Sequence, residues 1–189
     1  MNHEMLIGQE TATDGKLRVF SLYVDFAAAT RARWATSQIS RLAGDGWKST
    51  SEMWNLDSLA VSNPIRKMIT QDAADADVLI IAISSLDRRE VELVQWMESL
   101  AAGKANRAES GLFIGLLGDE NSQAAELDWT VEQFLRCARP MDRDFIWHWM
   151  EAGVMDSNDW LTSSVAALLA RKQPGRDVSF LWETAVAVA

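Results

Sequence analysis

The segment Asp77-Val78-Leu79-Ile80-Ile81-Ala82-Ile83-Ser84-Ser85 limits the fold of this chain more than any other. Six consecutive apolar residues, rich in Ile and Val, follow an acidic residue and stop at two serines. A strand with one wet face alternates apolar and polar side chains. An unbroken run of this length reads as a strand covered on both faces. Such strands lie inside parallel sheets, whose neighbours are joined by crossovers, usually helices. Residues 111–117 repeat the pattern and close in Gly118-Asp119-Glu120-Asn121.

Helical periods fill the gaps between such runs. Residues 17–26 read as a first strand, and a helix follows over 28–43. Ala28, Ala35, Ile39 and Leu42 share one of its faces, and Gly44 ends it. Residues 47–56 form a weaker second strand. Asn63-Pro64 predicts a helix start, with Asn63 as cap and Pro64 at the first helical position. That helix continues through Ile65, Met68, Ile69, Ala73 and Ala76. Asp87-Arg88-Arg89-Glu90 has the spacing of a capping box before Leu93, Trp96, Met97, Leu100 and Ala101, and Gly103 closes that helix. A helix over 128–138 is expected to bury Val131, Phe134 and Leu135. Residues 145–150 make a fifth strand. A last helix over 158–172 turns Leu161, Val165, Leu168 and Leu169 inward.

Five strand-helix alternations imply an α/β fold: a three-layer, doubly wound, five-stranded parallel sheet with right-handed crossovers and strand order 2-1-3-4-5. The expected organisation is an N-terminal arm over 1–16, the α/β domain over 17–172 and an apolar tail over 173–189. The ligand edge then lies at the carboxyl ends of strands 1 and 3, where the order reverses.

Composition removes several function classes. With 27 acidic against 18 basic residues the formal charge is −9, which disfavours nucleic acid. Arg31, Arg33 and Arg41 are expected on a solvated helix face. No apolar run approaches the roughly 18–20 residues of a membrane helix, and the start of the chain lacks a basic-then-apolar leader. No membrane association and a cytoplasmic location are therefore expected. The single cysteine, Cys137, cannot form an internal disulfide and is expected half buried and inert on its helix. Nine tryptophans against one tyrosine are spread along the chain, which argues mostly for packing, with some left for a partner.

The candidate ligand-edge residues are Asp25 after strand 1, Ser84, Ser85 and Asp87 after strand 3, and Asp119 and Glu120 after strand 4. Clustered carboxylates suit Mg²⁺, but a helix cap at Asp87 and a turn at Asp119 account for two of them, and no metal is assigned. No catalytic set and no cofactor are assigned either. There is no nucleophile elbow and no dinucleotide or P-loop fingerprint. Of the two histidines, His148 lies in strand 5 as a packed or edge residue.

The layout resembles a response-regulator receiver domain over residues 17–172. A receiver needs adjacent acids after strand 1, a phosphoacceptor Asp ending strand 3, Thr or Ser ending strand 4 and Lys ending strand 5. Here Asp25 stands alone, Ser84 and Ser85 occupy the acceptor region, Gly118 stands near the Thr/Ser position, and Trp147-His148-Trp149 contains no Lys. The resemblance therefore implies a receiver-like domain without the phosphorylation residues. Trp54-Asn55-Leu56, Ala76-Asp77-Val78 and Val94-Gln95-Trp96-Met97 are similar to a group of bacterial receiver-like proteins, which brings no activity with it. Val19-Phe20-Ser21-Leu22-Tyr23, and Ala82-Ile83-Ser84 with Trp96 and Glu98, more weakly resemble TIR domains. That likeness would make Glu92 or Glu98 a catalytic acid, against a plain role on a solvated helix. Flavodoxins share the expected fold but carry a Gly-rich phosphate loop after strand 1. Ala27-Ala28-Ala29-Thr30 has no glycine.

The expected function is a non-enzymatic regulatory or protein-interaction domain of a bacterial signalling system. The alternative is a TIR-like or nucleotide-ligand hydrolase or transferase working at the strand 1/strand 3 edge. Trp147, Trp149, Phe180 and Trp182 are the interaction candidates. The partner is a protein or a second copy: the apolar tail must pack on its own domain or on another chain, and a homodimer is favoured because five strands and five helices already close the core without it.

Overall fold

The computed structural model describes residues 15–84, 90–103, 110–118, 124–150 and 159–173. In chain order the elements are β1 (Gly15–Tyr23), α1 (Phe26–Ala43), β2 (Trp47–Asn55), α2 (Ser58–Val61), α3 (Asn63–Asp75), β3 (Val78–Ile83), α4 (Glu90–Ala102), β4 (Gly111–Leu117), α5 (Ala124–Ala138), β5 (Arg143–Trp149) and α6 (Asp159–Lys172). The strands form one parallel sheet in the order β2-β1-β3-β4-β5. Every residue of β3 and β4 is buried, as the unbroken apolar runs require.

Alternate residues feed two cores. Leu17, Val19, Val78, Ile80, Ala82, Ile114 and Leu116 pack under α1 and α6. Phe20, Leu22, Leu79, Ile81, Phe113 and Leu117 pack under α3, α4 and α5. Trp96 is fully buried in this second core. Its indole N–H donates to Thr70 Oγ1 at 3.0 Å, and its ring stacks on Phe20 with centroids 6.3 Å apart.

Long-range polar contacts tie the amino edge of the sheet. Asp77 Oδ2 accepts from the Arg18 amide at 2.8 Å, and Asp77 Oδ1 holds Lys172 Nζ at 2.9 Å. Arg143, buried at the start of β5, donates through Nη2 to the carbonyls of Ala73 and Ala74 at 3.0 and 3.4 Å. A cation there complements the carboxyl end of α3.

Several boundaries depart from the sequence reading. Ser62, rather than Asn63, caps α3: its Oγ accepts from the Ile65 amide at 3.5 Å, and Asn63 and Pro64 fill the first turn. Gly15 and Lys16, expected in the arm, belong to β1 and pair with Trp47 and Lys48. The short helix α2 was not expected. α5 begins at Ala124, Leu135 is 40% exposed rather than inward, and Cys137 is 2% exposed rather than half buried. Phe134 and Cys137 sit three apart on the α5 stripe that meets the sheet, and Leu135 is a step off it. The Asp87 capping box and most of the tail lie outside the described residues.

Candidate functional site

The strand order reverses between β1 and β3, where the register places Tyr23 opposite Ala82. Two residues further on, Asp25 and Ser84 leave neighbouring strands at the same level. Period-two alternation turns both toward the face that α1 covers. Ser84 Oγ donates to Asp25 Oδ1 at 3.0 Å. The same carboxylate oxygen accepts from the Ala28 amide at 2.8 Å, because Asp25 is the N-cap of α1. The Ala29 amide bonds to the Asp25 carbonyl at 2.9 Å. Only Val24 and Asp25 separate β1 from α1. There is no loop at this junction to cradle a phosphate, and the helix terminus has a resident anion.

The third member of this cluster is Arg31. It is 6% exposed, and its Nη2 donates to the Ile83 carbonyl at 3.0 Å and to Ser84 Oγ at 2.6 Å. A Cβ on Gly118 would collide with the Met150 carbonyl and come within 3.3 Å of Arg31 Nη1. The guanidinium thus reaches across the carboxyl ends of β3 and β4, and Gly118 leaves the backbone room for it. This corrects the expectation that Arg31, Arg33 and Arg41 share a solvated face. Arg33 and Arg41 are exposed; Arg31 is not. The signal was present: Arg31 follows Ala28 by three residues and precedes Ala35 by four, on the stripe that α1 buries.

The cluster runs carboxylate to hydroxyl to guanidinium, and its bonds are internal to the fold. It contains no histidine. His148 stacks instead on Trp160, with centroids 4.4 Å apart and planes 9° apart. Among the described residues no three His, Cys, Asp or Glu side chains come together to hold a metal ion. Glu98 is ion-paired with Arg136 at 3.2 Å on the α4/α5 surface. It lies eight residues into α4, about 12 Å along the helix axis from the end nearest Ser84.

Trp147 and Trp149 lie on the same side of β5 but differ in environment. Trp147 is 45% exposed on this outermost strand, whereas Trp149 is half buried against the second core. Phe26, the first residue of α1 beside Asp25, is 88% exposed, and sequence reasoning passed over it. Its signal was an aromatic just past a cap and off the apolar stripe. Ser85, Asp87, Asp119, Glu120, Phe180 and Trp182 lie outside the described residues.

Away from this edge, Glu52 on β2 has its carboxyl pushed above the usual range, first by desolvation and then by the neighbouring Asp72 carboxylate. Burial likewise raises the Cys137 thiol, with the Glu98 charge adding to the effect. Among the described residues no helix is long and apolar enough to cross a membrane.

No protein-family model and no curated protein sequence matches this chain. Solved structures do match by shape. A flavodoxin, WrbA-like protein from Agrobacterium tumefaciens aligns over 88% of this chain and 98% of its own, at 9% identity and a TM-score of 0.50. A short-chain flavodoxin associated with a bacterial microcompartment aligns over 89% of this chain and 99% of its own, at 11% identity and a TM-score of 0.49. The first likeness is one of fold alone, and the fold of this chain is flavodoxin-like.

Proposed function

We propose that this chain is a receiver-like regulatory or protein-interaction domain whose switch-point edge is structural rather than catalytic. The observation that carries this reading is the Asp25–Ser84–Arg31 chain of hydrogen bonds. At the place where a receiver would present its phosphoacceptor, a serine is held between an N-cap carboxylate and a buried guanidinium. At the place where a flavodoxin would carry its phosphate loop, two residues join strand to helix. Trp147, exposed on β5, is the candidate contact for a protein partner or a second copy.

The test is chemical. Incubation with acetyl phosphate and Mg²⁺ is expected to leave the intact mass unchanged. NAD incubated with the protein should stay intact by chromatography. A stoichiometric phosphate adduct, or turnover of NAD, would transfer the assignment to the alternative reading of an enzyme at the same edge.

A further inference from the structure

On the opposite face of the sheet from α1, a groove of about 570 Å³ opens between α3 and the last turn of α4. Its walls carry Arg66, Lys67, Asn63 and Gln71 from α3, with Ser99 and Leu100 from α4. Thr70, in the same wall, is already engaged, accepting from Trp96 and donating to the Arg66 carbonyl at 2.7 Å.

Two features point to a ligand. The first is charge. No carboxylate is among the described lining residues, although the chain as a whole carries −9. The side chains of Arg66 and Lys67 make no hydrogen bond or ion pair in the described structure, whereas Arg18, Arg136, Arg171 and Lys172 are each paired with an acid. Of the described carboxylates, Asp75 approaches through Gln71 Nε2 at 3.1 Å and lies 3.9 Å from Arg18. The second is size. The volume falls within the range of small-molecule clefts.

We propose that this groove binds a small organic phosphate. A guanidinium offers a planar pair of donors and an ammonium a point charge, a combination matched to a phosphate dianion. The Asn63 amide adds a neutral donor, and Leu100 and Ala74 supply apolar surface for the body of the ligand. The groove lies on the other side of the sheet from the Asp25–Ser84–Arg31 cluster, so the proposal stands whether or not that edge is catalytic.

Amide NMR on the full chain tests it, with inorganic phosphate and glycerol 3-phosphate as probes at constant ionic strength. The expected result is saturable shifts at Arg66, Thr70 and Gly103, with glycerol 3-phosphate binding below about 1 mM. An Arg66→Gln/Lys67→Gln double variant, which changes only surface side chains, should weaken it at least about tenfold. Arg33→Gln, an exposed cation on α1, should leave it unchanged. Shifts reproduced by chloride, shifts that persist in the double variant, or no saturation would overturn the proposal. So would saturation by a hexaglutamate peptide but not by either phosphate, which would mark the groove as an acidic-peptide surface.

Discussion

A guanidinium buried at the end of a sheet is tolerated only while its donors are satisfied, because an unpartnered buried charge is costly. Through Nη2, Arg31 donates to a serine hydroxyl and a main-chain carbonyl, which offsets part of that cost. Arg31→Ala removes these bonds and the packing of the aliphatic stem, and should cost about 2–4 kcal/mol in urea unfolding. Arg33→Ala, two residues away on the exposed side, should change stability by no more than about 0.5 kcal/mol. Equal effects at the two positions would mean that Arg31 is solvated after all. Glu52 offers a prediction of opposite sign. Its carboxyl is raised by desolvation and by Asp72, so ionised Glu52 opposes folding at neutral pH and the protonated form does not. A raised carboxyl contributes stability below its unfolded value and loses it as pH rises through the folded value. Glu52→Gln should therefore raise the urea midpoint at pH 7, and the gain should vanish below the ordinary carboxylate range. A gain that grew on acidification would refute the assignment.

Individual elements are held by side chains from distant parts of the chain. The Ala76-Asp77 step before β3 is visible as a pattern, yet its meaning lies in two partners. Arg18 is 59 residues away and Lys172 is 95 residues away. Through them one carboxylate fixes β1 beside β3 and ties down the last turn of α6. Asp77→Ala should cost about 1–3 kcal/mol, the penalty for breaking a partly buried charged contact. Hydrogen exchange should quicken at the Arg18 amide and in the last turn of α6, while α4 and α5 keep their protection. Faster exchange spread evenly over all helices would mean that Asp77 acts only through global stability.

For the whole molecule, the central strand supports two cores at once. Ile80 serves the layer under α1 and α6, and Ile81 the layer under α3, α4 and α5. Ile81 is 1% exposed, so Ile81→Ala should cost about 2–5 kcal/mol in chemical denaturation. A loss below about 1 kcal/mol would show that the second core can collapse around the deletion.

Local pattern was enough for the architecture. Whether a strand is covered on one face or two, and which stripe of a helix is buried, is written in the spacing of apolar residues along a few turns. The runs at 78–83 and 111–117, the Gly44 stop and the strand count led to the parallel sheet and its order. The pairing of Asp25 with Ser84 follows from that order once register is known, and both residues were legible as edge candidates. Arg31 was also within reach of the helical period, but its charge outweighed its position in the reading. The N-cap at Ser62 lay one residue from the expected one, inside the usual uncertainty of helix ends. Tertiary structure alone decided which polar groups meet: Ser84 with Arg31 across 53 residues, Asp77 with Lys172 across 95, and α3 against α4 to form a basic groove. Those contacts depend on strand register and on how far each crossover carries the chain. A side chain's hydrogen-bonding capacity does not name its partner, and no local spacing encodes the distances that do.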